Sequence, residues 1–177
     1  HALRVVDAPH FARRVGDARR ANDTPRLVQP EAGVEIEVAG EDRFAQRHRI
    51  LEFTLDGAPV NDDNRSLCTE RFLHAAIYAA RPEVNSVLCA GSEDVLPFSI
   101  TQTPLCAVLG TVGDMGTQVP VWDVAEKFGE DTDLAVSSME RARDLAQRLG
   151  GYRVVLMRGI GFVATGRTLN DAVKTSV

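Results

Sequence analysis

Lysine is almost missing from this chain. Of 20 basic residues only Lys127 and Lys174 are lysine, and 25 acidic residues leave a net charge of -5. That balance argues against a nucleic-acid backbone or an anionic membrane as the main partner, since either needs a basic surface. The arginine bias is what a high-GC genome leaves behind, so it is read as origin rather than chemistry. Long apolar runs are missing too. No stretch approaches the ~18 residues that a membrane-spanning helix requires. Cysteine is scarce: Cys68, Cys89 and Cys106 cannot all pair, and none stands at a CxxC or zinc-ribbon spacing. A reducing cytoplasm is the simplest setting for such a set. The four histidines, His1, His10, His48 and His74, form no HxH and no HExxH motif. Repeats, low-complexity tracts and a signal-peptide pattern are likewise missing. The first residue is His rather than Met, so the natural N-terminus is expected further upstream.

What is present fits one globular domain over residues 1–177. The chain has 44% hydrophobic and 25% charged residues, an ordinary soluble mix. Leu3 to Val6 suggests a short strand. Phe11 to Pro30 is rich in Arg, Asp and Asn and is broken by Pro25 and Pro30, so residues from about 10 to 30 are expected to form a loop or arm. Val34 to Val38 alternates apolar and polar residues, as a half-buried strand does, and Ile50 to Leu55 alternates less cleanly before the Asp56-Gly57 turn signal.

Phe72, Leu73, Ala76, Ile77 and Ala80 recur on one helical face, which predicts a helix from Thr69, its expected N-cap, to Ala80, stopped by Arg81-Pro82. Val84 to Leu88 predicts a buried strand running into Cys89-Ala90-Gly91-Ser92. Pro97 to Thr117 is expected to be mostly loop, with strand candidates around Ala107 to Leu109, and Val119 to Trp122 a short extended piece. Thr132 to Leu149 carries an apolar side through Leu134, Val136, Met139, Ala142, Leu145, Ala146 and Leu149, and predicts one long helix ended by Gly150-Gly151. Tyr152 to Met157 and Phe162 to Thr165 predict strands around a turn at Arg158-Gly159-Ile160-Gly161. A last helix begins at Leu169. Helices and strands joined by short connections predict a layered α/β domain.

Three places could carry chemistry. Glu70 sits at a helix start, where the dipole stabilises a carboxylate by ~0.3–1 kcal/mol. It is either a helix-start acid or a general acid/base. His74 lies one turn on, and a Glu–His contact on the helix surface is favoured over a ligand pair. At the strand end, Cys89 is more readily a small buried apolar group than a nucleophile. In Arg158-Gly159-Ile160-Gly161 the two glycines permit close backbone approach, and Arg158 could meet an anion or simply water.

Taken in order, these segments resemble the class II aldolase/adducin family. That family has an S-x-E-x-x-x-H pattern followed by Tyr and Arg-Pro, here Cys68-Thr69-Glu70-Arg71-Phe72-Leu73-His74, Tyr78 and Arg81-Pro82. Its His-x-His strand end is matched by Cys89-Ala90-Gly91. Its Gly-rich loop, Val-Pro segment and long helix are matched by Gly113 to Pro120 and Thr132 to Leu149. Its last strand, ending in Asn-His-Gly or Gly-His-Gly, is matched by Gly159-Ile160-Gly161, with Gly166 and Leu169-Asn170-Asp171-Ala172 after it. The match covers about Glu52 to Val177. It implies a three-layer α/β/α domain around a mixed, mostly antiparallel sheet, trimmed at both ends, and a homotetramer with active sites between subunits.

The departures redirect the function. The family holds a divalent metal through three histidines, and the matching positions here are Cys89, Gly91 and Ile160, of which only Cys89 has a donor side chain. The resemblance therefore implies no metal and no cofactor, and argues against the metal-assisted aldol step. A family Ser-Ser pair has become Cys68-Thr69, which argues against sugar phosphates. Glu70 remains as the family's proton-transfer residue, with Cys68, Thr69, Cys89, Gly91, Ser92, Arg158 and Ile160 expected to line the substrate site. The expected activity is a metal-independent lyase, isomerase or cyclase step on a small, rather apolar secondary-metabolite intermediate. The alternative is a silent scaffold of adducin type.

Overall fold

The structure, a computed structural model, describes residues 4–7, 34–37, 50–60, 67–106 and 118–176. The expected arm at residues 10–30 and the strand candidates at 107–109 lie outside the described residues.

Among the described residues seven strands form in chain order: β1 (Arg4–Asp7), β2 (Val34–Glu37), β3 (Ile50–Phe53), β4 (Ser86–Ala90), β5 (Val121–Trp122), β6 (Val154–Met157) and β7 (Gly161–Gly166). Five of them make one sheet in the order β1-β4-β7-β6-β5, while β2 and β3 pair separately. Only β5 and β6 run parallel; the other neighbours are antiparallel. The sheet is thus mixed and mostly antiparallel, as expected.

The period of two along a strand sorts its side chains into layers. Val87, Val155, Met157 and Val163 enter one core cluster together with Leu73, Ile77, Leu145 and Leu149. Those last four come from α1 (Arg71–Ala80) and α4 (Met139–Leu149), which pack on each other. The alternate residues, Leu88, Val154, Leu156, Phe162 and Ala164, form a second cluster with Ala172 of α5 (Leu169–Ser176). Helices therefore cover both sheet faces, in three layers. Each fully buried Leu or Ile in these clusters is worth about 1.5–3 kcal/mol relative to exposure.

Two expectations fail locally. Residues 96–100 were expected to be loop, yet Leu96–Ile100 forms a short helix, α2, with Pro97 in its first turn. Proline breaks a helix interior but suits its start, where the N–H has no partner anyway. A further short helix, α3, spans Ala125–Phe128. The predicted long helix from Thr132 begins only at Met139. Ser138 is extended (φ -142°, ψ 158°), and its side chain accepts a 3.3 Å bond from the Arg141 amide, which is the geometry of a cap. Before it, the Arg141 guanidinium gathers the chain into a clasp. It bonds the carbonyl and carboxylate of Asp133, the Ala135 carbonyl at 2.9 Å and the Ser137 hydroxyl at 3.0 Å. These bonds draw the polar groups of 133–137 inward toward one side chain, a geometry that a helix cannot provide.

Candidate active site

The start of α1 is built by its own neighbours. Arg71 donates to the Gly57 carbonyl at 3.1 Å and to the Cys68 carbonyl at 2.6 Å, and stacks over the Phe72 ring at 4.1 Å. This ties residues 57 and 68 to the first helical turn. Glu70 has helical dihedrals (φ -64°, ψ -13°) and occupies the cap position without a side-chain cap bond. The expected N-cap, Thr69, does not cap. Its hydroxyl donates instead to the Glu70 carboxylate at 3.3 Å. A cap side chain needs an extended backbone just before the helix, and Glu70 is already wound into it. Glu70 is half-buried, Thr69 exposed and Cys68 half-buried. His74 is fully buried rather than on the helix surface. Residues 73–78 are all buried, so α1 is enclosed along that stretch instead of showing one wet face.

The second half of the site comes from two strand ends. Cys89 lies opposite Val163 and Ala90 opposite Phe162, so Gly91 follows next to Gly161. Here the backbones nearly touch. A Cβ on Gly161 would lie 2.2 Å from the Ala90 carbonyl oxygen and 2.8 Å from the Gly91 Cα, and its φ of 155° is one that side chains disfavour. Gly91 is different: a Cβ there would meet only the Ile160 carbonyl oxygen, at 3.5 Å. Cys68, Cys89 and Ile160 all pack, half-buried, against the cluster that holds α1 to the sheet. Cys68 thus stands two residues before Glu70, while Cys89, exposed Gly91 and Ile160 come together where β4 ends and β7 begins.

Other groups brace the turn that carries Ile160. Ser99 of α2 is buried, donates to the Leu96 carbonyl and accepts from the Gly159 amide at 3.2 Å. On another side Leu134, nearly half exposed, would be 3.4 Å from a Cβ on Gly159. Arg158 is held by Asp123 at 3.2 Å, and its amide bonds the Trp122 carbonyl. Its charge is therefore engaged at the end of β5. Ser92 serves through its backbone, accepting the Leu96 amide at the start of α2. Sequence reasoning missed Ser99, Leu134 and Arg141. Pro97 was the one available signal for α2.

Electrostatics reach the turn indirectly. Burial pushes the Asp144 carboxyl up, but hydrogen bonds from Lys127 and Trp122, both 2.8 Å, outweigh it and hold the group below the usual aspartate value. Asp144 thereby locks β5 and α3 onto α4, and β5 leads into the Asp123 that grips Arg158.

A metal of the kind the resemblance implies does not fit the donors at hand. Gly91 and Ile160 offer none, and one thiol cannot supply the three or four ligands zinc takes. Among the described residues no three His, Cys, Asp or Glu side chains cluster where they could hold a metal ion.

A mixed, mostly antiparallel sheet covered by helices on both faces, in three layers, is a class II aldolase-like fold. The chain belongs to the class II aldolase and adducin N-terminal domain family, whose model matches residues 42–177. Decarboxylase tropJ of Talaromyces stipitatus is 34% identical over a stretch spanning 71% of this chain and 51% of that protein. The chain thus spans about half the length of this curated relative. Among solved structures, an L-fuculose 1-phosphate aldolase superposes with a TM-score of 0.69 at 17% identity, over 98% of this chain and 69% of the other. The L-fuculose-1-phosphate aldolase of Thermus thermophilus does so at 0.68 and 16%, over 99% and 76%. At such identities the likeness is one of fold. No described helix is long and apolar enough to cross a membrane.

Proposed function

We propose that this chain carries the active site of a lyase that works without a metal, on a small, mostly apolar organic acid of secondary metabolism. The observation that carries the reading is that Cys68, next to the Glu70 helix start, and Cys89 and Ile160, at the joined strand ends, pack against the same core cluster. The decarboxylase relative supports carbon–carbon cleavage as the chemistry.

Glu70 is the proton-transfer group. In its acid form it protonates the substrate carbon that bears the carboxylate. The C–C bond then breaks, carbon dioxide leaves, and the bonding electrons return to the substrate's own conjugated system. Solvent restores the Glu70 proton. With no Lewis acid in the scheme, the substrate itself must take up the charge, which selects hydroxylated aryl acids, whose ring carbon can accept the proton first, or β-oxo acids, in which the C–C bond breaks first and Glu70 then protonates the enolate carbon. An isomerase or cyclase step would use the same carboxylate in the same way. Cys68, Thr69, Cys89, Gly91, Ser92 and Ile160 line the site, with Arg158 at its edge. Gly91 leaves room for a substrate ring, and Ile160 supplies an apolar wall. The protein acts in the cytoplasm as a homotetramer, to be checked by light scattering at micromolar concentration.

Glu70→Gln keeps the shape and removes the proton. Release of carbon dioxide from a panel of β-oxo and hydroxyaryl acids should fall ~100- to 10,000-fold, with an unchanged thermal midpoint. Cys89→Ser should cost far less, as befits a packing residue. Turnover that survives Glu70→Gln would reduce Glu70 to a helix-start acid and end the assignment.

A further inference from the structure

The opposite end of the sheet holds a groove that the proposed reaction does not use. Its volume is about 600 Å³, within the range typical of small-molecule sites. Ser86 pairs with Gly166 there, four residues along β4 from the Ala90–Phe162 pair, or roughly 13 Å at strand spacing. Val84, Thr165 and Gly166 line it together with Arg81, Arg153 and Arg167, and two acids, Glu83 and Asp171. On a chain of net charge -5, three arginines and two acids line one concavity.

The charges are not equivalent. Arg81 takes Glu83 at 2.7 Å and donates to the Tyr152 carbonyl at 2.6 Å, so this pair largely neutralises itself. The Arg81 hydrogen bond first, and the charges of Arg81 and Arg167 after it, hold the Glu83 carboxyl below its ordinary value, which puts Arg167 within electrostatic reach of the same acid. Asp171 stands in the first turn of α5, where Thr168 accepts its amide at 3.1 Å. Arg153 and Arg167 complete the set of guanidinium groups.

The backbone under each arginine is fixed. The Arg81 amide bonds the Ile77 carbonyl, and the Arg81 carbonyl accepts the Val84 amide. The Arg153 carbonyl accepts both the amide and the hydroxyl of Thr165, at 2.8 and 3.1 Å. The Arg167 carbonyl accepts the Asn85 side chain at 3.2 Å. Gly166 lets the start of α5 lie close on β7, because a Cβ there would be 2.5 Å from the Ala172 nitrogen. Guanidinium forks on a pinned backbone suit carboxylates and phosphates, which can take two parallel hydrogen bonds from one fork.

We propose that this groove is a second binding site, separate from Glu70, for a small metabolite carrying an oxyanion, either a phosphate ester or a carboxylate.

The test is titration calorimetry of the full chain with inorganic phosphate and, separately, with succinate, at constant ionic strength. Saturable binding of at least one anion is expected. Phosphate alone would indicate a phosphate ester as the natural group, and succinate alone a carboxylate. Arg167→Gln, at an exposed position, should weaken binding about tenfold or more. Arg143→Gln, which removes the same charge from the exposed side of α4, should leave it unchanged, as should Glu70→Gln. No saturable heat with either anion would overturn the site. So would affinity that survives Arg167→Gln, or a loss reproduced by Arg143→Gln. None of these results depends on the lyase reading.

Discussion

Strand β7 begins and ends on a glycine with no room for a side chain, and its two ends are otherwise opposites. At Gly161 the obstacle is another strand: the Ala90 carbonyl would be 2.2 Å from a Cβ. At Gly166 it is a helix: the Ala172 nitrogen would be 2.5 Å away. The first end gathers Cys89, Gly91 and Ile160, with few charges. The second gathers three arginines and two acids. One strand thus joins an end packed on the apolar core to an end rich in charged residues. Close backbone contact is common to both, so it belongs to the frame, and the character of each end is set by the side chains around it.

The pair of glycines is the strongest place to break this comparison. Gly161→Ala combines a backbone clash with a φ that side chains disfavour, and should cost about 4 kcal/mol or more, enough to unfold a marginal domain. Gly166→Ala meets crowding alone, from the Thr168 and Ala172 backbone, without dihedral strain, and should cost about 2–3 kcal/mol. Chemical denaturation of both variants tests the order. Equal losses would mean that the dihedral strain at Gly161 is slight.

A smaller effect should sharpen the contrast. Arg141→Met removes the clasp on residues 133–137, whose Leu134 lies against the 158–161 turn. A loss of about 1–2 kcal/mol is expected, since charge-assisted bonds to part-buried groups are worth this much. Hydrogen exchange should quicken at the amides of residues 159 and 160 and stay slow at 85 and 172. Quickening at both ends alike would show that the clasp serves the whole fold.

The smallest effect is acid-dependent. The folded Asp144 carboxyl titrates below its ordinary value of 3.8. The native state therefore binds fewer protons than the unfolded chain in that window, and stability rises with pH there. The contribution is complete above about 3.8 and is lost as pH falls through the lowered value. The single tryptophan, Trp122, donates to Asp144 and reports on it directly. Acid unfolding followed by its fluorescence should be shallower in Asp144→Asn than in the parent chain. An unchanged slope would place the acid sensitivity elsewhere.

The regular parts of this fold could be read from local pattern. The end of α1 at Arg81-Pro82, the strand before Cys89 and the hairpin around 158–161 follow from periodicity and breakers that act over a few residues. What escaped were places where one side chain overrides the pattern. Apolar residues at helical spacing extended the predicted α4 back to Thr132, but Arg141 bonds that segment out of helical form. Pro97 was read as opening a mostly loop stretch, when its position favoured a helix start. Of the candidate site, Glu70 was legible from its place before an apolar helix face. The meeting of residues 89, 91 and 160 was not. It depends on the β4–β7 register, which no local spacing encodes, and it was anticipated only through family resemblance. The arginine groove was invisible for a related reason. Its members come from three distant segments of a chain in which arginine is the default base.

The contact between Gly161 and Ala90 has a consequence for how this fold can change over time. Because main chain alone closes that junction, the geometry there places few demands on which side chains stand at 89, 91 and 160. Of those three, Cys89 and Ile160 need only keep their packing on the core, and Gly91 has open space beside it. A lineage could strip out one reaction centre and install another by a handful of substitutions while the architecture under them stayed put.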